Sequence, residues 1–175
     1  MHSGDEMEIG TDASPWGLGG WISRQGSIIE HFAGPITADD EAIYGTMRGD
    51  RLGQQTWECL AILVAARIWS HHFRNRRIRL KIRGDNVGAL TLVLKMRPHT
   101  PQQAIVAREI ALITATAPFP PETVHTPGIA HAAADHLSRL FDPGADNAVT
   151  HHALVGTQRV NVPDRPRKWY LALVS

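Results

Sequence analysis

What most narrows the fold of this chain is a change of hydrophobic period along it. Residues 7–11, 19–23 and 27–32 read as short strands, separated by a turn at Pro15 and Gly17 and by the hairpin signal Gln25-Gly26. These three form an antiparallel meander. Residues 54–72 then read as a helix: Leu60, Leu63, Val64 and Ile68 recur at helical spacing, and Ala61, Ala65 and Ala66 favour that state. Residues 78–83 return to strict alternation, with Ile78, Leu80 and Ile82 apolar and Arg79, Lys81 and Arg83 charged, as in a half-buried strand. A short helix is expected over 86–95, ended by Pro98. A second starts at Pro101 and runs to about 117, where Pro118, Pro120 and Pro121 stop it. A brief strand over 123–125 and a helix over 131–140 follow. Three strands, a helix, and then helices alternating with strands predict an α/β domain, a mixed sheet covered by helices on both faces. Residues 33–53, rich in Gly, Asp and Thr, read as a long connecting loop. Residues 1–141 form the expected domain, and 142–175, which contains Pro143, Gly144, Pro163 and Pro166 and has weak periodicity, reads as a linker or appendage.

Composition removes several function classes. The 175 residues are 43% hydrophobic and 20% charged, the balance of a globular domain able to bury a core. The longest apolar run, residues 59–66, is too short to cross a bilayer, and the polar N-terminal residues lack the apolar segment of a signal peptide. The single Cys59 can form neither an internal disulfide nor a zinc site, which fits a reducing, intracellular setting. A net charge of +1 says little about partners. Between Glu58 and Asp85, however, every charged residue is basic: Arg67, Arg74, Arg76, Arg77, Arg79, Lys81 and Arg83. Such a cluster can attract phosphates. It is also what a solvated helix end carries, and charge alone favours that simpler reading.

Four carboxylates stand where elements begin or end. Asp12 closes the first strand, Glu58 lies in the first turns of the main helix, Asp85 closes the fourth strand and Asp135 lies in the last helix. If the first and fourth strands are neighbours, Asp12 and Asp85 emerge side by side. Asp135 is two residues from Ala133, so it points about 200° from the Ala133–Ala134–Leu137–Leu140 stripe and off the core. Glu58 lies outside the Leu60–Leu63–Val64 stripe in the same way. Crowded carboxylates repel and raise one another's pKa unless cations sit among them. Two hard divalent ions, magnesium or manganese, would relieve that repulsion and suit phosphodiester cleavage. His125, at a strand end ten residues before Asp135, can move a proton near neutral pH. Trp57 and Trp69 read as core or rim packing on the main helix, whereas Trp16, just after the Asp12 turn, could approach a substrate, a role the sequence does not assign to it.

The segment from His125 through Pro127-Gly128 to Ala134-Asp135, Leu137 and Ser138-Arg139 resembles the closing motif of retroelement ribonuclease H domains. Thr11-Asp12-Ala13-Ser14, with Gly17, Gly19 and Gly20 behind it, is similar to the family's first-strand signature. Trp57-Glu58-Cys59-Leu60-Ala61-Ile62 and Gly84-Asp85-Asn86 look like its second and third acidic sites. The resemblance spans residues 7–140. It implies a ribonuclease H-like mixed five-stranded sheet, three antiparallel strands then two parallel, with helices on both faces. It also implies that Asp12, Glu58, Asp85 and Asp135 hold two Mg2+ ions (Mn2+ being the alternative), that His125 assists proton transfer or product release, and that the substrate is an RNA–DNA hybrid. The partner implied is a polymerase domain in a parent reverse transcriptase polyprotein. The family usually carries asparagine in place of His131, a departure that bears on a loop contact with substrate rather than on the metal site. Two other readings compete. A catalytically silent copy that only binds nucleic acid or tethers a polymerase would lose one of the acids, and all four are present here with His125. An integrase or resolvase of the same fold would space its acids differently.

Overall fold

A computed structural model of the chain describes residues 6–73, 79–83, 100–114, 122–124, 129–146 and 148–173. Strands β1 (Glu6–Ala13), β2 (Gly17–Arg24) and β3 (Ser27–Pro35) form the expected antiparallel meander, β2 crossing to β3 through Gln25 and Gly26, both at positive φ. Helix α1 (Ala38–Tyr44) and helix α2 (Gln54–Phe73) follow, then β4 (Arg79–Arg83), helix α3 (Pro101–Thr114), β5 (Glu122–Val124) and helix α4 (Ile129–Ser138). Strand β4 lies parallel to β1 with Gly10 opposite Arg83, and β5 lies parallel to β4.

A sixth strand, β6 (Gln158–Arg159), adds in parallel to the outer edge of β3, so the sheet order is β5-β4-β1-β2-β3-β6. Among the described residues the expected count of five is therefore one short. The extra strand is two residues long and has no alternating pattern to announce it. It is fixed from outside, by Val160 N–H donating to the His31 carbonyl at 2.8 Å and by His31 Nδ1 meeting Thr157 Oγ1 at 2.6 Å.

Both faces of the sheet are covered. On one face Met7, Ile9, Leu18, Ile22 and Phe32 pack with Trp57, Leu60, Leu63, Val64 and Trp69 of α2 and with Val106 and Ile110 of α3. Helix α2 lies between sheet and α3, which is why residues 59–65 are buried all the way round it, and not along one stripe. On the other face Trp21 and Ala33 pack with Ala133, Ala134 and Leu137 of α4 and with Leu154. Trp57 and Trp69 are core residues, both fully buried.

The stretch expected as a loop, 33–53, is mostly ordered. It completes β3, forms α1 and ends in a 3-10 turn, Arg51–Gly53. The cause is a capping box: Asp40 N–H donates to Thr37 Oγ1 at 3.2 Å, and Thr37 N–H donates to Asp40 Oδ2 at 2.9 Å. Residues 142–173, expected as linker or appendage, run back over the domain. Arg165, 2% exposed, grips Asp40, 0% exposed, through Nε–Oδ1 at 3.0 Å and Nη2–Oδ2 at 2.6 Å. Tyr170 enters the main core, and the backbone N–H groups of Leu171 and Ala172 donate to the buried Glu109 carboxylate at 2.8 and 2.7 Å. The helix expected over 86–95 lies outside the described residues.

Candidate active site

Close approach of α4 to the sheet builds the site. A Cβ at Gly19 would lie 2.6 Å from Leu137 Cβ, and one at Gly17 would lie 2.6 Å from the Ser138 carbonyl oxygen. With no side chain at either place, α4 settles directly on β2 and β1. Ser14 Oγ fastens its end: it lies 2.8 Å from the Ser138 carbonyl and 2.8 Å from Asp142 Oδ1, while accepting from Trp16 N–H and Gly17 N–H. Asp12 sits opposite Gly19 in the β1–β2 ladder, so this docking brings Asp135 against it.

Helix α2 enters from the other face. Its first residue, Gln54, donates through Nε2 to the Ala13 carbonyl and reaches Glu58 Oε1 at 3.2 Å. Glu58 is thereby held beside the end of β1, close enough to act on Asp12 electrostatically. Three of the four expected acids converge. The Asp12 carboxyl, 7% exposed, is pushed up from 3.8 to about 7. Burial is the main cause; the Ala13 N–H opposes it, and the charges of Asp135 and Glu58 add to it. Asp85 and His125 lie outside the described residues. The neighbouring β4 runs parallel to β1, the pairing that the sequence argument for Asp85 required.

His131, expected to bear on a substrate contact, also lies beside two of the acids. Asp12, His131 and Asp135 each present a ligand atom, and those atoms lie within 4.8 Å of one another. One helical turn separates His131 from Asp135 on α4, so both side chains fall on the same side of the helix. The sequence signal was available in that i, i+4 spacing. The donor set, carboxylate oxygens with one imidazole nitrogen around a carboxyl reluctant to ionise, fits a divalent cation. Arg139 was also overlooked as a site residue. Its Nε lies 2.9 Å from Asp135 Oδ1 and its Nη1 lies 3.5 Å from Asp142 Oδ2, and the hydrogen bond and charge of Asp135 hold the guanidinium further in its charged form.

A cleft of about 600 Å3 opens beside the acids, lined by Ala13, Ser14, Trp16, Arg51, Gln54 and Arg139 among others. Its wall offers two cations and one indole to a ligand, next to the carboxylate cluster.

No family model matches the chain, and no curated protein matches it. Solved structures do. LC11-RNase H1, in its complex with an RNA/DNA hybrid, superposes with a TM-score of 0.59 over 75% of this chain and 92% of its own, at 18% identity. The fold is that of ribonuclease H1. A second structure of LC11-RNase H1, isolated from compost by a metagenomic approach, gives a TM-score of 0.59 at 16% identity, covering 81% of this chain and 98% of that one. The ribonuclease H1 of the halophilic archaeon Halobacterium salinarum gives 0.61 at 15% identity, covering 80% and 99%. The acid cluster therefore stands on a ribonuclease H-like α/β scaffold.

Proposed function

We propose that the chain is an endonuclease that hydrolyses the RNA strand of RNA–DNA hybrids, using two divalent metal ions held by Asp12, Glu58, Asp85 and Asp135. The observation that carries this reading is the convergence of Asp12, Glu58 and Asp135, from two strand-flanking helices and one strand, with the Asp12 carboxyl pushed to about 7. A protein has little reason to crowd a buried carboxyl with two more acids except to hold cations. When bound, the ions would supply an activated water and neutralise the charge that develops on the leaving oxygen. Mg2+ is the first choice and Mn2+ the alternative, since most ligands are oxygen.

The chain's own residues do the rest. Gln54 holds Glu58 in place, and Ser14 holds the end of α4 that carries Asp135. Arg51 and Arg139 line the cleft where phosphates of the bound strand would pass, and Trp16 offers a flat face to a sugar or base. Recognition runs through backbone and 2′-hydroxyl contacts and not through base sequence. His125 takes or gives a proton as the strand is cut or released, leaving a 5′-phosphate and a 3′-hydroxyl. The structure of LC11-RNase H1 with an RNA/DNA hybrid supports this choice of substrate. The closing motif from His125 to Arg139 supports a home in a retroelement reverse transcriptase polyprotein, with an attached polymerase domain as partner.

The test is cleavage of a labelled RNA–DNA hybrid by the full chain in magnesium and in chelator, beside single- and double-stranded RNA. Magnesium-dependent loss of the hybrid's RNA strand alone, abolished by Asp85→Asn, is the expected result. A second reading, a silent hybrid-binding module, is favoured by one contact: Arg139 already rests on an Asp135 oxygen at 2.9 Å, where a metal ion would have to displace it. Hybrid binding with no cleavage in either metal would select that reading.

A further inference from the structure

We infer that Glu30, His71 and His72 form a binding site for a transition-metal ion of the zinc class, separate from the acid cluster and independent of the nuclease reading. The three side chains present ligand atoms that all lie within 4.8 Å of one another. They come from two elements: Glu30 from β3, and the two histidines from the last turn of α2. From Glu58 to His72 is about 21 Å along α2 at roughly 1.5 Å per residue, so the two sites sit at opposite ends of that helix.

The site is already half assembled. His72 Nε2 lies 3.0 Å from Glu30 Oε1, and the His71 and His72 rings lie 4.2 Å apart between centroids. The Glu30 carboxylate is oriented from behind, because Trp69 Nε1–H donates to the same Oε1 at 3.0 Å. Trp69 is itself fully buried and packed on Phe32 at 5.3 Å, so it holds a fixed position. A rigid donor aimed at a ligating carboxylate is the kind of outer support that metal sites use. Glu30 and His72 are half-buried while His71 is exposed, which leaves an entry side. The C-terminal end of a 20-residue helix adds a negative dipole end beneath the position an ion would take.

The donor chemistry selects the ion. Two imidazole nitrogens and one carboxylate oxygen suit Zn2+, and three protein ligands leave a fourth position for water. The same set is poor for Mg2+, which takes oxygen. Occupation would tie β3, near the edge of the sheet, to the end of α2, and any ion that binds only the folded state raises its stability by mass action.

The test uses the full chain carrying Asp12→Asn and Asp135→Asn, so that the acid cluster no longer competes, with Zn2+ alone as the probe. Calorimetric titration of chelator-treated protein should give one bound ion and a raised melting temperature. Adding His71→Ala, at an exposed position where packing is not at stake, should weaken Zn2+ binding at least tenfold and remove the thermal shift, and Glu30→Gln should do the same. In the chain with wild-type acids, His71→Ala should likewise cost one equivalent of bound Zn2+. If the doubly substituted chain takes up no Zn2+, or if His71→Ala binds it as tightly as the parent, the three side chains are an ion pair and a ring stack only, and the inference is overturned.

Discussion

Replacing Asp12 by Asn should make the metal-free protein more stable at alkaline pH while destroying its response to metal. The carboxyl is held at about 7 in the folded chain, against 3.8 as the ordinary value. Between those limits the folded state binds more proton than the unfolded state, so stability falls as pH rises. The contribution is complete below pH 3.8 and lost by the time pH has passed about 7. Such a difference stands for about 4 kcal/mol as a ceiling, which for a chain of this size is on the order of 10 °C in melting temperature. Asparagine keeps the shape. Its carbonyl can accept from Ala13 N–H, and its amide can donate to Asp135 as a protonated Asp12 would. Thermal melts of wild type and Asp12→Asn in chelator at pH 5 and pH 8 give a double difference in which unrelated groups cancel. Wild type should lose several degrees more than the variant on going to pH 8, and added Mg2+ or Mn2+ should restore them in wild type only. Equal pH dependence in the two proteins would refute the claim that this carboxyl is crowded.

Three further outcomes follow from particular contacts. Gly19→Ala places a methyl 2.6 Å from Leu137 Cβ and Ser138 N, so α4 must lift; a loss of about 1–3 kcal/mol in urea unfolding is expected, with cleavage falling more than tenfold as Asp135 moves off Asp12. Arg165→Ala leaves Asp40 buried without its guanidinium and should cost about 3–5 kcal/mol in the same assay, a wild-type midpoint being the contrary result. His131→Asn exchanges a nitrogen ligand for an amide and should raise the ratio of Mg2+- to Mn2+-supported cleavage, measured side by side on one hybrid; an unchanged ratio would remove His131 from the metal group.

Much of this arrangement can be read from local pattern. Alternation and helical spacing report what each segment does by itself, and they were sufficient for β1 to β3, α2, β4, α3, β5 and α4, with ends moved by a few residues. Asp135 was legible because a helical wheel separates it from the Ala133–Leu137 stripe, and the wheel does not depend on what lies opposite. Helix α1 was hidden because its Gly- and Asp-rich surroundings look like loop. Its start depends on Thr37 and Asp40, with Asp at the place where a capping box more often has Glu or Gln. The C-terminal segment was hidden for another reason. Its anchors join residues far apart in sequence, 125 positions between Arg165 and Asp40 and 62 between Leu171 and Glu109, and no periodicity encodes such a contact.

The buried carboxylates of this protein divide by how their charge is met. Asp40 is fully buried and takes a two-point grip from Arg165 with a backbone N–H from Thr37. Glu109 is fully buried and receives two backbone N–H groups, with the Arg67 guanidinium at 4.0 Å. Each belongs to the attachment of the C-terminal segment, and each has its counter-charge or donors built in. Asp12 is nearly as buried, yet its neighbours are two more carboxylates and His131, and among the described residues the nearby guanidinium, that of Arg139, is exposed and rests on Asp135. An internal arginine at that place would have settled the charge permanently, as it does at Asp40. Leaving the deficit beside an open cleft makes sense for a charge that an exchangeable cation completes. The same comparison explains why Gly17 and Gly19 matter. They do not relax the backbone at a turn; they let α4 come close enough to impose a repulsion that the fold alone has no use for.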